Sequence, residues 1–584
     1  MSGAGGSSGR LVRRYVLTEP RAVIGLAVVV FTAMAARVGL PYLAGRFVDE
    51  AGAGTSLAIL MAIGSAFLVL GLANQVLSVA GTRLSADLGW RASNRLRADL
   101  LAHTLRLDLE FHAEHPPGEL VERIDGDARE LNGLLSEFSV SLLANLLTIA
   151  GTLAVLLLLD WRIGLVMVGF AALALVVFGH VRDTASPYWR RSREATTRLY
   201  GASEEYFAGL DDLRGNGAVD HAVRDIDDAQ RVLFHRQRRA TAMSALVGSG
   251  AELVLTLGAV AILGIAVAFY VHGALTVGMV VTVSLFTALI SQPLQNVVDQ
   301  VDAFQQALAS ITRVDDLLGL TPSIRDGAGV TFPAGACEVE FDGVSLCYPG
   351  AGGVAAVRDV SVRVAAGQTL AIVGRTGAGK TTIARLLVRL YDPTTGRILV
   401  GGHDIRQATL AQLRRRIGIV TQEVQLFQLT VRDNLTLLDD SVPDVRLTEF
   451  LDEVGLGPWF RRQPYGLDTV LPAGGGLSAG EAQLLAAVRV FVADPGVVIL
   501  DEPTSRLDPA TEALVARAFA RVTAGRTALV IAHRLETVAR ADTVLVLDAG
   551  QVVELGGRAA LAVDPSSRFA RLLSASAQSA VDGA

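Results

Sequence analysis

Gly374-Arg375-Thr376-Gly377-Ala378-Gly379-Lys380-Thr381 follows the apolar run Thr369-Leu370-Ala371-Ile372-Val373 and leads, through Thr382, into Ile383-Ala384-Arg385-Leu386-Leu387-Val388. Strand, glycine-rich loop and helix in that order form the context of a GxxxxGK[ST] phosphate loop, in which backbone N–H groups and a helix N-terminus face an anion. Lys380 is the only lysine in the 584 residues; of 52 Lys and Arg, the other 51 are arginine. GC-rich coding explains a bias toward arginine codons, so the exception carries the information. A compact ammonium on a flexible stem fits between β- and γ-phosphates, where a planar guanidinium with fixed fork geometry does not. The expected ligand is a nucleotide phosphate.

The length exceeds what one hydrophobic core organises, so at least two domains are expected. The chain is 51% hydrophobic and only 19% charged, with the apolar excess in its first half. That composition is typical of a part-membrane protein. A net charge of −6 gives no electrostatic footprint for nucleic acid. Cys337 and Cys347 show neither a disulfide framework nor metal-ligand spacing and read as reduced cytosolic thiols. No cleavable signal sequence is expected, because a Gly/Ser tail and Arg10, Arg13 and Arg14 precede the first apolar run without a small-residue cleavage site.

Six segments, near 22–48, 57–81, 138–159, 163–181, 250–271 and 274–297, approach the roughly 20 apolar residues that a spanning helix needs. Short gaps follow the first, third and fifth; long, arginine-bearing gaps follow the second and fourth. By the positive-inside rule the long gaps and the N-terminus are cytoplasmic, and six spans return the chain to that side. Residues 83–107 and 182–206 keep spaced apolar positions with few breakers, which predicts helices continuing out of the bilayer. Each ends in a short reversing segment, Asp108 to His112 before Pro116-Pro117-Gly118, and Gly209 to Gly215. Within the first span Arg37 either lines a transport cavity or snorkels to an interface.

In the second half Val497-Val498-Ile499-Leu500-Asp501-Glu502 is an apolar strand ending in two carboxylates. Such a strand suits a Mg²⁺ site of Asp501 and Thr381 around ATP phosphates, leaving Glu502 to orient or deprotonate the attacking water. With these elements the chain resembles the ATP-binding cassette (ABC) family. Tyr348 is similar to the aromatic residue that stacks on adenine, and Gln422 in Val420-Thr421-Gln422-Glu423 to the glutamine between metal, water and membrane domain. Leu477-Ser478-Ala479-Gly480-Glu481 resembles the LSGGQ signature, Ser505-Arg506-Leu507-Asp508 the D-loop, and His533 the switch histidine at the γ-phosphate.

The resemblance extends over nearly the whole chain and implies an ABC exporter half-transporter. Its implied fold is an all-α six-helix transmembrane domain with two coupling helices (1–318), a linker (319–336), an α/β P-loop cassette (337–573) and a tail (574–584). It also implies two cassettes sandwiching two ATP molecules with Mg²⁺, each bound by the loop of one chain (Gly374 to Thr382) and the signature (Ser478, Gly480) of the other. The reversing segments then resemble coupling helices.

This chain departs from the pattern at Ala479 and Glu481, at Arg506, and at 470–476, where a glutamate-bearing segment is usual. Lys380, Gln422, Asp501, Glu502 and His533 are all present. The asymmetry implies a heterodimer with one degenerate ATP site, against a homodimer that tolerates the changes. The expected activity is ATP-driven export of a small or lipophilic compound across a bacterial plasma membrane; siderophore import on the same fold and a weakly hydrolysing regulatory half are the alternatives.

Overall fold

A computed structural model describes residues 14–15, 19–133, 139–348, 352–439, 441–472, 476–501, 509–532 and 538–574. They form two compact units. One runs up to Arg106 and resumes over His115–Thr321; the other combines Leu107–Glu114 with the chain from Pro322 onward.

The first unit is helical: α1 (Pro20–Gly52), α2 (Leu57–Thr104), α4 (Pro117–Asn132), α5 (Ser139–Leu159), α6 (Trp161–Ala208), α7 (Leu210–Gly215), α8 (Val219–Val271) and α9 (Val277–Gly319). Six stretches within these are long and apolar enough to cross a membrane. Large apolar side chains such as Leu57, Val69, Leu158 and Val271 point outward along them, an inversion that suits hydrocarbon as the solvent. Met167, Phe170, Phe286, Ile290 and Leu294 form the buried centre.

Local chemistry sets the helix ends. Pro20 opens α1 with φ already suited to a helix, and the Glu19 carboxylate before it accepts from Arg95 at 2.7 Å and Arg91 at 3.4 Å on α2. At the far end Asp49 accepts from the Thr276 hydroxyl at 2.7 Å and the Gly278 N–H at 2.6 Å. A carboxylate thus satisfies an orphan donor at the start of α9. That clasp needs two glycines, because a Cβ on Gly45 would lie 2.4 Å from the Gly278 carbonyl oxygen and 1.8 Å from Thr282 Oγ1.

The helices do extend beyond the apolar runs, α2 to Thr104 and α6 to Ala208. Extension is broader than the sequence predicts, since α8 begins at Val219 and α9 continues to Gly319. In α9 the Arg313 guanidinium forks onto the buried Asp127 carboxylate of α4, with Nε at 3.1 and 3.2 Å from its two oxygens. The first reversing segment is a short helix, α3 (Leu109–Glu114), and α7 is the second.

The second unit has two sheets. One is antiparallel in order β2-β1-β4-β5, from β1 (Val339–Cys347), β2 (Ala355–Val364), β4 (Thr395–Val400) and β5 (His403–Asp404). The other has order β10-β9-β3-β8-β7-β6, from β3 (Thr369–Gly374), β6 (Ile417–Val420), β7 (Val497–Asp501), β8 (Thr527–Ile531), β9 (Thr543–Asp548) and β10 (Gln551–Gly557). Its first five members after β10 run parallel. β7 and β8 are buried at every position, as expected for parallel strands covered on both faces.

Helices α10 (Lys380–Leu387), α11 (Leu410–Arg416), α12 (Asp444–Glu453), α13 (Ala479–Ala493) and α14 (Pro509–Thr523) accompany the sheets. Side chains of α10 join the core between the sheets, whereas α12, α13 and α14 share a separate apolar cluster. The segment after α9 is irregular yet held: the Gly329 N–H donates to the Gln407 carbonyl at 2.9 Å and the Ser323 N–H to Asp108 at 2.6 Å. Both cysteines are free thiols, Cys337 buried and Cys347 half-buried.

Candidate functional site

β3 enters the loop as a buried strand and α10 leaves it at Lys380. Gly379 carries φ +98°, and a Cβ there would sit 2.6 Å from the Ala356 carbonyl oxygen. Gly377, at φ +82°, has open space around it. These positive angles turn the loop into a concave run of amides that only glycine forms without strain. Lys380 is buried, and its Nζ donates to the carbonyls of Gly374 at 2.9 Å and Arg375 at 3.1 Å. The ammonium therefore lies folded across the loop that a phosphate would fill. Arg375, Thr376 and Gly377 are exposed, and Ala378 is buried beneath them.

Thr381 is exposed at the first turn of α10, and Thr382 is buried beside it. The Tyr348 hydroxyl donates to Thr382 Oγ1 at 3.2 Å, and the Tyr348 ring meets Tyr391 edge-on at 5.0 Å. The aromatic expected at adenine is thus tied to the residue next to the phosphate loop. Asp501 ends β7, buried and in register with Ile531 of β8, which in turn pairs with Ile372 of β3. Gln422 follows β6, whose Val420 pairs with Leu500, and is exposed. Loop, carboxylate and glutamine therefore share the carboxyl edge of one parallel sheet, the edge at which such sheets take ligands. Glu502, the 505–508 stretch and His533 lie outside the described residues.

Among the described residues no group of three His, Cys, Asp or Glu side chains is built to hold a metal ion. One buried carboxylate and one exposed hydroxyl are nevertheless a hard-oxygen pair. That pair fits Mg²⁺, which keeps several waters and shares its shell with substrate phosphates.

Ser478 and Gly480 are not with the loop; they open α13, in the second apolar cluster. Ser478 is the N-cap. Its N–H and hydroxyl both donate to the Glu481 carboxylate, at 2.9 and 3.0 Å, while its Oγ accepts from the Glu481 N–H at 3.3 Å. This capping box commits the donors at the helix start to a side chain of the same chain.

Two residues outside the sequence reading organise the segment after Gln422. Half-buried Arg489 on α13 donates to the carbonyls of Asn434 at 2.7 Å and Gln425 at 3.1 Å, and desolvation lowers its pKa. Asn434, 1% exposed, bonds Phe427 through both its N–H and its carbonyl, each at 2.9 Å. The available signal was a lone arginine inside the apolar stretch Leu484 to Val492.

Residues 23–294 match the ABC transporter transmembrane region and residues 357–505 the ABC transporter family. The chain is 31% identical to the ATP-dependent lipid A-core flippase of Syntrophus aciditrophicus, over 83% of this chain and 79% of that protein. The chain belongs to the ABC transporter family. This ABC transporter is also 31% identical to the fatty acid ABC transporter ATP-binding/permease protein of Mycobacterium bovis, over 90% of this chain and 82% of that one. Its fold matches a bacterial Atm1-family ABC exporter with ATP bound at a TM-score of 0.81 and 25% identity, covering 96% and 98% of the two chains. It is an ATP-hydrolysing half-transporter of exporter type, with a helical membrane domain preceding its cassette.

Proposed function

We propose that this transporter exports a small or lipophilic compound across a bacterial inner membrane by alternating access, paired with a different half-transporter, its N-terminus and cassette cytoplasmic. The loop from Gly374 to Thr382 binds the ATP phosphates through its amides and Lys380, and Tyr348 faces the adenine. Thr381, Asp501 and Gln422 hold Mg²⁺, which when bound neutralises charge on the phosphate oxygens. Glu502 takes the proton of the attacking water, and His533 contacts the γ-phosphate. ATP favours the closed dimer because its contacts form in full only there; hydrolysis removes that differential affinity. The lipid A-core and fatty acid transporters among its relatives support a lipophilic cargo.

The observation that supports the unequal pairing is the carboxylate that caps the signature. A γ-phosphate bound on a partner's loop would meet Ser478 with the Glu481 carboxylate on both of its donors, a negative charge that the Gln of an intact signature does not bring. The ATP site completed by this signature is therefore weak. The chain's own loop requires an intact signature from a different chain. Purifying the chain alone tests this: it should bind ATP and turn it over poorly, and full ATPase activity with transport from the single polypeptide overturns the pairing. Glu502→Gln in the assembled pair should retain ATP and lose turnover.

A further inference from the structure

Arg37 stands in the middle of α1, 17 residues after Pro20 and 15 before Gly52, about 25 and 22 Å along the axis from either end. The apolar run 22–48 brackets Arg37 on both sides. Within it Arg37 lines a cavity of about 760 Å³ inside the membrane unit. No carboxylate is among the described residues lining it, and no described residue forms an ion pair or hydrogen bond with the guanidinium. A lone cation at that depth is costly unless something pairs with it.

The cavity is built from complementary helix faces. On α1, Met34 and Arg37 close a stripe spaced three and four residues apart; on α2, Asn74, Ser78 and Thr82 repeat every four residues on one helix face. The antiparallel register, in which a Cβ on Gly39 would touch Leu70 and one on Gly81 would touch Val29, sets Arg37 level with Asn74. From Asn74 the slot follows α2 to Trp90, about 24 Å at 1.5 Å per residue. Arg37 supplies the only charge among the described lining residues, beside the Asn74 amide; the remainder offers apolar and uncharged polar side chains, Asn132 and Trp90 among them.

We infer that this slot binds an amphipathic anion, with its carboxylate or phosphate head on Arg37 and Asn74 and its aliphatic tail running toward Trp90. A guanidinium fork matches either head in bidentate fashion, and the volume lies within the range of small-molecule pockets. This names the cargo class for the transport reading and rests on that reading for its purpose. The binding itself is an equilibrium property, measured without ATP, so failure of transport leaves it testable.

The test titrates the full-length protein in neutral detergent with stearate brominated near its tail end, following contact quenching of tryptophan fluorescence. The neutral control is the alcohol with the same brominated tail. Saturable quenching by the acid at least tenfold tighter than by the alcohol is expected, lost in Trp90→Phe. In Arg37→Gln the preference should vanish, and Arg37→Lys should keep most of it. Nanodiscs of brominated phosphatidylglycerol against brominated phosphatidylcholine separate the sources. Preferential quenching by the former supports a lipid headgroup as the anion, and preference only for the free acid supports a free amphiphile. Equal affinity for acid and alcohol together with no lipid preference overturns the inference, as does wild-type acid binding by Arg37→Gln. The acid-alcohol comparison on the wild type needs no variant and stands if a variant fails to fold.

Discussion

At the level of single residues the ATP site turns on two charges. Lys380 reaches the carbonyls of Gly374 and Arg375 within one loop, a fold-back that a longer, planar guanidinium cannot make in the same space. Lys380→Arg keeps the charge and should still lower ATP turnover by about 100-fold, the scale of losing one pre-placed charge donor, read as steady-state phosphate release. Glu481 offers the converse experiment. Gln at the third helical position also forms a capping box, so Glu481→Gln should leave thermal stability nearly unchanged while removing the negative charge at Ser478. ATP turnover at the site this signature completes should then rise about tenfold, some 1.4 kcal/mol. A variant that melts as wild type with unchanged turnover would show that the carboxylate is only a cap. The sequence alone shows Glu481 as a departure from the signature pattern. That the carboxylate consumes the donors of Ser478 depends on the helix starting at Ala479, a boundary known only from structure.

Among elements, α13 does more than present the signature. Through Arg489 it holds the carbonyls of Gln425 and Asn434, three and twelve residues past Gln422, so signature helix and glutamine segment share one half-buried cation. Arg489→Met preserves bulk and helix propensity but leaves those carbonyls unpaired. Thermal or denaturant unfolding should register a loss of about 2–4 kcal/mol, and a loss below 0.5 kcal/mol would remove Arg489 as the link. The clasp between α1 and α9 is equally local. Gly45→Ala pushes a methyl group into Thr282 and the Gly278 carbonyl and should destabilise the membrane unit by about 1–3 kcal/mol, visible as earlier unfolding in detergent.

The same comparison explains what was legible in the elements. Spans announce themselves by continuous apolar runs, and the phosphate loop by its glycines and lysine. The 31 residues of α8 before the fifth apolar run, 219–249, did not, because Arg231 to Arg239 reads as a polar gap even though it continues α8. Helix beyond a bilayer is stabilised by packing on neighbours, information a single sequence does not carry. Arg489 stayed hidden for a related reason, since its partners are main-chain carbonyls without a side-chain signature.

For the whole molecule the decisive question is whether two copies of this chain suffice. A homodimer would contain two equal sites, each pairing an intact Lys380 loop with a Glu481-capped signature. Both would be weak by the same amount, and turnover would respond to Glu481→Gln at both. A heterodimer contains one site joining this loop to an intact signature and one joining this signature to the partner's loop. There the two substitutions separate: Lys380→Arg in this chain should remove nearly all ATP turnover, whereas Glu481→Gln should add only the activity its partner's loop permits. Co-expression of the chain with a second half-transporter, each carrying a different affinity tag, decides between them. Tandem purification should recover the mixed pair, with turnover at least tenfold above the chain alone, and single-turnover trapping should find one fast site per pair. Recovery of active homodimers with two equivalent sites would assign the capped signature a tolerated role and return Glu481 to the ordinary chemistry of a helix start.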